Sequence, residues 1–151
     1  MIHRGNEVRE YQNIRVINCE SCGFWHQDPL PTQAELDTRY RDKFYFTDKP
    51  NYLKEIERDR EWLEVQFSIE LFLLGKPGSI LDVGSGAGTF IRTAHAEGWK
   101  AQGIEPAVET KALTHDLDII ADTFENAVFN ERFDAIRLGW VLEHIRDPHA
   151  I

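Results

Sequence analysis

Apolar positions change their spacing as the chain is read from its middle outward. Over 53–74, Ile56, Leu63, Phe67, Leu71 and Leu74 run down one stripe, while Glu55, Arg58, Asp59 and Glu61 stay on the other side. This predicts one helix that covers a sheet face, with Trp62 in a packing role, and Gly75-Lys76-Pro77-Gly78 stops it. The next apolar run, Ile80-Leu81-Asp82-Val83, ends at Gly84, Gly86 and Gly88, and a helix-like segment from Thr89 to Glu97 follows, closed by Gly98. Three further runs read as strands: Ala101–Ile104, Leu117–Ala121 and Phe133–Leu138, with a short helix over Ala107–His115. Strands alternating with helices in this way point to a parallel sheet.

The first fifty residues are patterned less clearly. Residues 1–18 are polar with scattered β-formers, and Ile14-Arg15-Val16-Ile17 reads as a short strand. Asp28-Pro29-Leu30-Pro31-Thr32 is expected to be extended. Thr32-Gln33-Ala34-Glu35 is a capping box, so a helix starts after Thr32 and carries Leu36, Tyr40 and Phe44 on one face. The cluster Phe44-Tyr45-Phe46 suits either core packing or a lid over a cofactor. We therefore divide the chain into 1–50, a knuckle and lid-like helix, and 51–151, an α/β domain.

Charge and composition narrow the partners. Asp and Glu number 26 against 17 Lys and Arg, a net charge of −9, which argues against a broad nucleic-acid-binding face. No run of apolar residues is long enough to span a membrane, and the first residues lack the apolar core of a signal peptide. The expectation is a cytoplasmic protein with neither nucleic acid nor membrane as partner.

Two short patterns carry chemistry. In Cys19-Glu20-Ser21-Cys22-Gly23, two thiolates at C-x-x-C spacing can share one Zn²⁺, with Gly23 permitting the tight turn. A closed site needs four ligands, and the chain has no second cysteine pair. His3 and His26 can complete it, two chains can share a metal, or the thiols stay reduced in a loop. The second pattern is the strand–glycine–helix junction at Ser79–Phe90. There the glycines let the chain reverse, admit a ligand close to the backbone, and expose free N–H groups at a helix start. Its spacing is G-x-G-x-G, with Asp82 two places ahead of Gly84, whereas a dinucleotide turn, G-x-G-x-x-G, would need glycine at Thr89. Glu105 ends the next strand nineteen residues after Gly86, near the offset of a ribose-binding acid.

The turn D-V-G-S-G-A-G, Glu105, and the segment Phe133-Asp134-Ala135-Ile136 followed by V-L-E-H-I-R-D-P resemble the class I S-adenosylmethionine (SAM)-dependent methyltransferases. The order of knuckle, Pro-x-Pro, aromatic helix, longer helix and glycine turn resembles a bacterial group with an N-terminal zinc-ribbon-like element. That group commonly carries a further cysteine pair, which is missing here. The resemblance implies an α/β, Rossmann-like, partial parallel sheet in the order 3-2-1-4 with flanking helices and a small N-terminal knuckle. It implies SAM binding by Asp82, Gly84, Ser85, Gly86, Gly88, Glu105, Asp122, Thr123, Phe124 and Trp140, and possible zinc at Cys19 and Cys22. Asp122 would meet the adenine amino group and Phe124 the ring.

Methyl transfer to a small-molecule or sugar acceptor is the function this implies. His144 and Glu143 are candidates for a catalytic base or for caps of the turn after the fourth strand. The alternatives are a catalytically incomplete SAM-binding module and an NAD- or nucleotide-sugar-binding protein of related fold. The family's sheet has seven strands and this sequence supplies four. A C-terminally truncated chain is therefore expected, its fourth strand an exposed edge open to self-association. Asp147-Pro148 reads as a helix start.

Overall fold

The strand that runs into the glycine turn is buried on both faces, and the larger part of the molecule is layered about it. The computed structural model describes residues 3–11, 13–147 and 149. Its contacts divide the chain into two units, Met1–Gln33 and Ala34–Ile151.

The first unit is an antiparallel sheet in the order β1-β2-β3, built from β1 (Gly5–Tyr11), β2 (Ile14–Cys19) and β3 (Trp25–Asp28). The apolar run at 14–17 is the first part of its central strand. Asn13, with φ of 64°, turns the first hairpin, and Gly23, at 77°, turns the second. Ile17 and Cys19 are the buried hydrophobic residues of this unit. Arg15 pairs with Asp28 across β2 and β3.

The second unit opens within α1 (Gln33–Asp42), which starts where the capping box places it. A wide turn over Phe44–Asp48 closes with the Lys49 N–H donating to the Phe44 carbonyl. The stretch 53–74 is two helices, α2 (Tyr52–Arg58) and α3 (Arg60–Leu74), where one was expected. Asp59 breaks them: its ψ is 11°, and its carboxylate is taken by Arg58. Aspartate is a poor helix former because its side chain competes for local partners. Leu63, Phe67 and Leu71 are buried as the stripe requires, but Leu74 is exposed, and Trp62 is 59% exposed, so it does not pack.

The sheet of this unit contains β4 (Ser79–Val83), β5 (Lys100–Ile104), β6 (Ile119–Ile120) and β7 (Ala135–Leu138). All pairs are parallel and the order is β6-β5-β4-β7, which is 3-2-1-4 counted from the glycine-turn strand. Alternation along β4 sends Ile80 toward α3 and α4 (Thr89–Ala96), where it packs with Leu63, Phe67, Leu71, Phe90 and Ile91. Leu81 and Val83 face the other way, against Ile104, Phe124, Phe129 and Phe133. Asp134 fixes the register of β7, since its carboxylate accepts from both the backbone N–H and the hydroxyl of Ser79 at 2.8 Å.

α4 ends on a Schellman pair: the Gly98 N–H donates to the His95 carbonyl and the Trp99 N–H to the Ala94 carbonyl, with Gly98 at φ 84°. The helix expected at 107–115 is a 3₁₀ turn, Val108–Thr110, running into α5 (Lys111–Thr114). β6 is shorter than expected because the Leu117 N–H is tied back to Thr114 and the Asp122 N–H to Ile120, so the chain turns at both ends. The expected helix start at Asp147-Pro148 falls partly outside the described residues, since Pro148 is not described. No helix among the described residues is long and apolar enough to cross a membrane.

Candidate cofactor site and metal cluster

The glycines after β4 all take positive φ: 72° at Gly84, 53° at Gly86 and 76° at Gly88. Gly88 is the residue ahead of α4, and a Cβ there would stand 2.4 Å from Leu117 Cδ1 and 3.3 Å from Thr114 Cγ2. Both conformation and space therefore demand glycine. Gly88→Ala should lower unfolding stability by about 2–4 kcal/mol, from the left-handed backbone and the clash together, measurable by urea denaturation. The Gly84 and Ser85 N–H groups both donate to the Ile104 carbonyl, which ties the loop to the end of β5. Gly103 makes this possible, because a Cβ at 103 would lie 2.6 Å from Ser85 Oγ.

Glu105 closes the loop from the other side. One carboxylate oxygen accepts from the Gly86 N–H at 2.8 Å and the other from the Ala107 N–H at 2.9 Å. The side chain is 7% exposed. Burial is the largest influence on it and lifts the carboxyl to about 7, against the lowering effect of the two backbone donors. The loop and the acid, nineteen residues apart in the chain, are thus in direct contact. Asp82 is buried as well, and burial raises its carboxyl to about 6 although the Arg137 guanidinium opposes the shift.

Two tyrosines lie over the middle glycine of the loop. Above Gly86, a Cβ would meet the hydroxyls of Tyr45 at 3.4 Å and Tyr52 at 3.7 Å. The two tyrosine rings lie 5.2 Å apart, and burial raises both phenols, with Glu105 adding to the shift. Tyr45 from the 44–46 cluster is buried, whereas Phe46 is exposed. The Tyr40 hydroxyl lies 2.9 Å from His144 Nδ1, and Phe44 stacks edge-on to the same ring. Burial holds the His144 imidazole below its usual range. Glu143 is exposed beside it.

The remaining expected residues are spread around this core. Asp122 Oδ1 accepts from the Thr123 N–H and from Asn126 Nδ2, capping the turn after β6, and these bonds lower its carboxyl. Phe124 packs in the second core cluster with Phe129. Trp140 follows β7 with φ of 55° and is 71% exposed. Ser85 Oγ and Thr123 Oγ1 are buried with no hydrogen-bond partner among the described residues. Sequence reasoning missed Tyr52 and Arg137. The signal for Arg137 was present: a lone cation inside the apolar run Ala135-Ile136-Arg137-Leu138.

In the first unit, His3, Cys19, Cys22 and His26 converge, and their four ligand atoms lie within 4.8 Å of one another. Cys19 Sγ is 3.5 Å from His3 Nδ1, and the His3 and His26 rings meet edge-on. Burial opposes ionisation of Cys19, but hydrogen bonds from His26, the Cys22 and Ser21 backbone and His3 overcome it and bring the thiol to about 5. Burial raises the Cys22 thiol, and the neighbouring Cys19 adds to that. His26 Nδ1 sits 2.7 Å from the Gln27 carbonyl, and its Nε2 is buried. This cluster resembles a zinc-binding motif.

A family model described as methyltransferase domain matches residues 39–151. The chain belongs to that family. A solved structure with the same fold, described as the plantazolicin methyltransferase BpumL in complex with SAH, is 19% identical, with a TM-score of 0.51. The match covers 75% of this chain and 48% of that one, so this methyltransferase-domain chain spans about half the length of that relative. No curated protein sequence matches it.

Proposed function

We propose that this chain binds S-adenosylmethionine and transfers its methyl group to a small-molecule or sugar acceptor. The observation that supports this most is the bond between Gly86 and Glu105, which joins a glycine loop to a buried strand-end carboxylate. The residues fit the ligand on two further counts: two tyrosine hydroxyls lie just over the side-chain-free Gly86, and the buried hydroxyls of Ser85 and Thr123 have no hydrogen-bond partner among the described residues. Glu105 would accept from the ribose hydroxyls, and Asp82 would face the amino group. The backbone of Gly84, Ser85, Gly86 and Gly88 would line the methionine end. Asp122, Thr123 and Phe124 would border the adenine, with Trp140 at the rim.

The bound cofactor supplies a methyl already activated on a sulfonium. The chain's own contribution is positioning. If the acceptor is a hydroxyl or amine, a proton must leave it. His144, held neutral by burial and braced by Tyr40, is the candidate to take it, with Glu143 beside it.

For the metal, His3, Cys19, Cys22 and His26 would hold one Zn²⁺. A tetrahedral ion with Zn–S of about 2.3 Å and Zn–N of about 2.0 Å needs only a modest contraction of the cluster. The convergence of all four ligand atoms within 4.8 Å of one another favours this over two reduced thiols in a loop. With four protein ligands the ion is structural.

Titration calorimetry tests the reading. S-adenosylhomocysteine should bind with micromolar affinity and NAD should give no heat. Heat from NAD and none from S-adenosylhomocysteine would overturn it.

A further inference from the structure

Arg137 has more partners than an edge strand needs for packing. Its Nη1 donates to Asp82 Oδ1 at 2.9 Å, and its Nε donates to Glu70 Oε2 at 2.9 Å. The guanidinium carbon lies 4.7 Å from the Phe67 ring centroid and 4.4 Å from that of Phe90. β4, α3 and α4 therefore each hold it. A planar, forked cation between aromatic rings suits this place; a lysine would keep the charge beside Asp82 but not the fork that reaches Asp82 and Glu70 together.

The charged and titratable groups that act on Asp82 are Arg137 from β7, Glu70 from α3, Glu105 at the end of β5 and Tyr52 from α2; from α4, the uncharged Phe90 packs on the Arg137 guanidinium. Arg137 is the single cation in that set. The carboxylate it holds is 1% exposed and stands two residues ahead of Gly84.

We propose that Arg137 is a positioning residue that keeps Asp82 ionised and oriented toward the cationic amino group of the bound sulfonium cofactor or its thioether product. The inference rests on the methyl-transfer reading above. Removing the guanidinium leaves a buried carboxyl among Glu70, Glu105 and a phenol. Burial and like charge then both favour the protonated form. A neutral Asp82 no longer pairs with an ammonium, so ligands that carry the amino-acid end lose affinity and ligands without it do not. The loss depends on pH, because raising pH restores the carboxylate.

The test uses Arg137→Gln, which keeps hydrogen-bonding groups without the charge, and Arg137→Lys, which keeps the charge without the fork. Carboxyl ¹³C NMR follows the titration of Asp82 in the ligand-free protein. Calorimetry measures S-adenosylhomocysteine and 5′-methylthioadenosine at pH 6.5 and pH 9. For Arg137→Gln, the Asp82 midpoint should rise by about one pH unit or more. Its affinity for S-adenosylhomocysteine should fall about tenfold or more at the lower pH and largely recover at the higher. 5′-Methylthioadenosine, which lacks the amino-acid end, should bind both proteins alike, and Arg137→Lys should restore most of the loss.

An unmoved Asp82 midpoint overturns the proposal. So does a loss that is equal for both ligands or indifferent to pH. If Arg137→Gln does not fold, Arg137→Met carries the same readouts, and a methionine variant with a shifted midpoint but wild-type affinity overturns the proposal. A wild-type protein that binds neither ligand overturns the methyl-transfer reading and this role with it, and the ligand-free titration tells that failure from a failure of the Arg137–Asp82 contact.

Discussion

Glu105→Ala should abolish measurable binding of S-adenosylhomocysteine, a loss of at least about a hundredfold. The carboxylate has two tasks in the proposed site. It would receive the ribose hydroxyls, and charge-assisted bonds of that kind contribute roughly 1.5–3 kcal/mol each. It also holds the Gly86 N–H at 2.8 Å and the Ala107 N–H at 2.9 Å, so alanine frees the loop as well. Glu105→Gln separates the two tasks, because an amide oxygen can still accept one of those bonds.

The same residue carries a pH signature. Its carboxyl is raised by burial from 4.5 to about 7, so the folded protein holds a proton that the unfolded chain has released. Stability from this group is full below about pH 4.5 and declines as pH rises toward 7, by roughly 3 kcal/mol in all. Thermal unfolding of wild type and Glu105→Gln across pH 4.5–8 reads it: the gap between the two curves should shift in favour of the glutamine variant as pH rises. A gap that stays constant would remove the raised carboxyl, and undiminished ligand binding by Glu105→Ala would remove the ribose assignment.

Stripping metal should unfold the first unit. Its sheet of three short strands has Ile17 and Cys19 as its buried hydrophobic residues, far too little core to support some thirty residues. Units of that size usually need a metal, a disulfide or a partner, and Cys19 and Cys22 form no disulfide. Purified protein should contain close to one zinc per chain. Chelation, or Cys22→Ser, should collapse hydrogen-exchange protection across β2 and β3, because site assembly and folding are one equilibrium. Zinc well under half an equivalent, with those amides still protected, would sink the assignment.

The sheet and the loop were legible because each rests on a local pattern. Apolar runs bounded by glycine place β4 and β5 to within a residue, and the spacing from Gly86 to Glu105 brings loop and acid into contact. What escaped depends on contacts distant in sequence. Asp59 looks like a wet-face residue of one long helix, and only its pairing with Arg58 marks the break. Trp62 reads as core by composition, but its direction on α3 leaves it exposed. Arg137 stands out as a cation inside an apolar run, but its partners, Asp82, Glu70 and two phenylalanine rings, come from distant parts of the chain. The histidines of the metal cluster were nameable as candidates, yet only the hairpin register brings His26 beside Cys19 and Cys22.

The fit of Gly103 beneath Ser85 restricts how this protein can vary. Any larger residue at 103 displaces the hydroxyl at 85, and with it the first turn of the loop, so a change deep in the sheet is felt at once where a ligand would sit. The coupling runs one way: a side chain at 103 can be housed only if the one at 85 shrinks or moves aside, whereas a smaller residue at 85 asks nothing of 103.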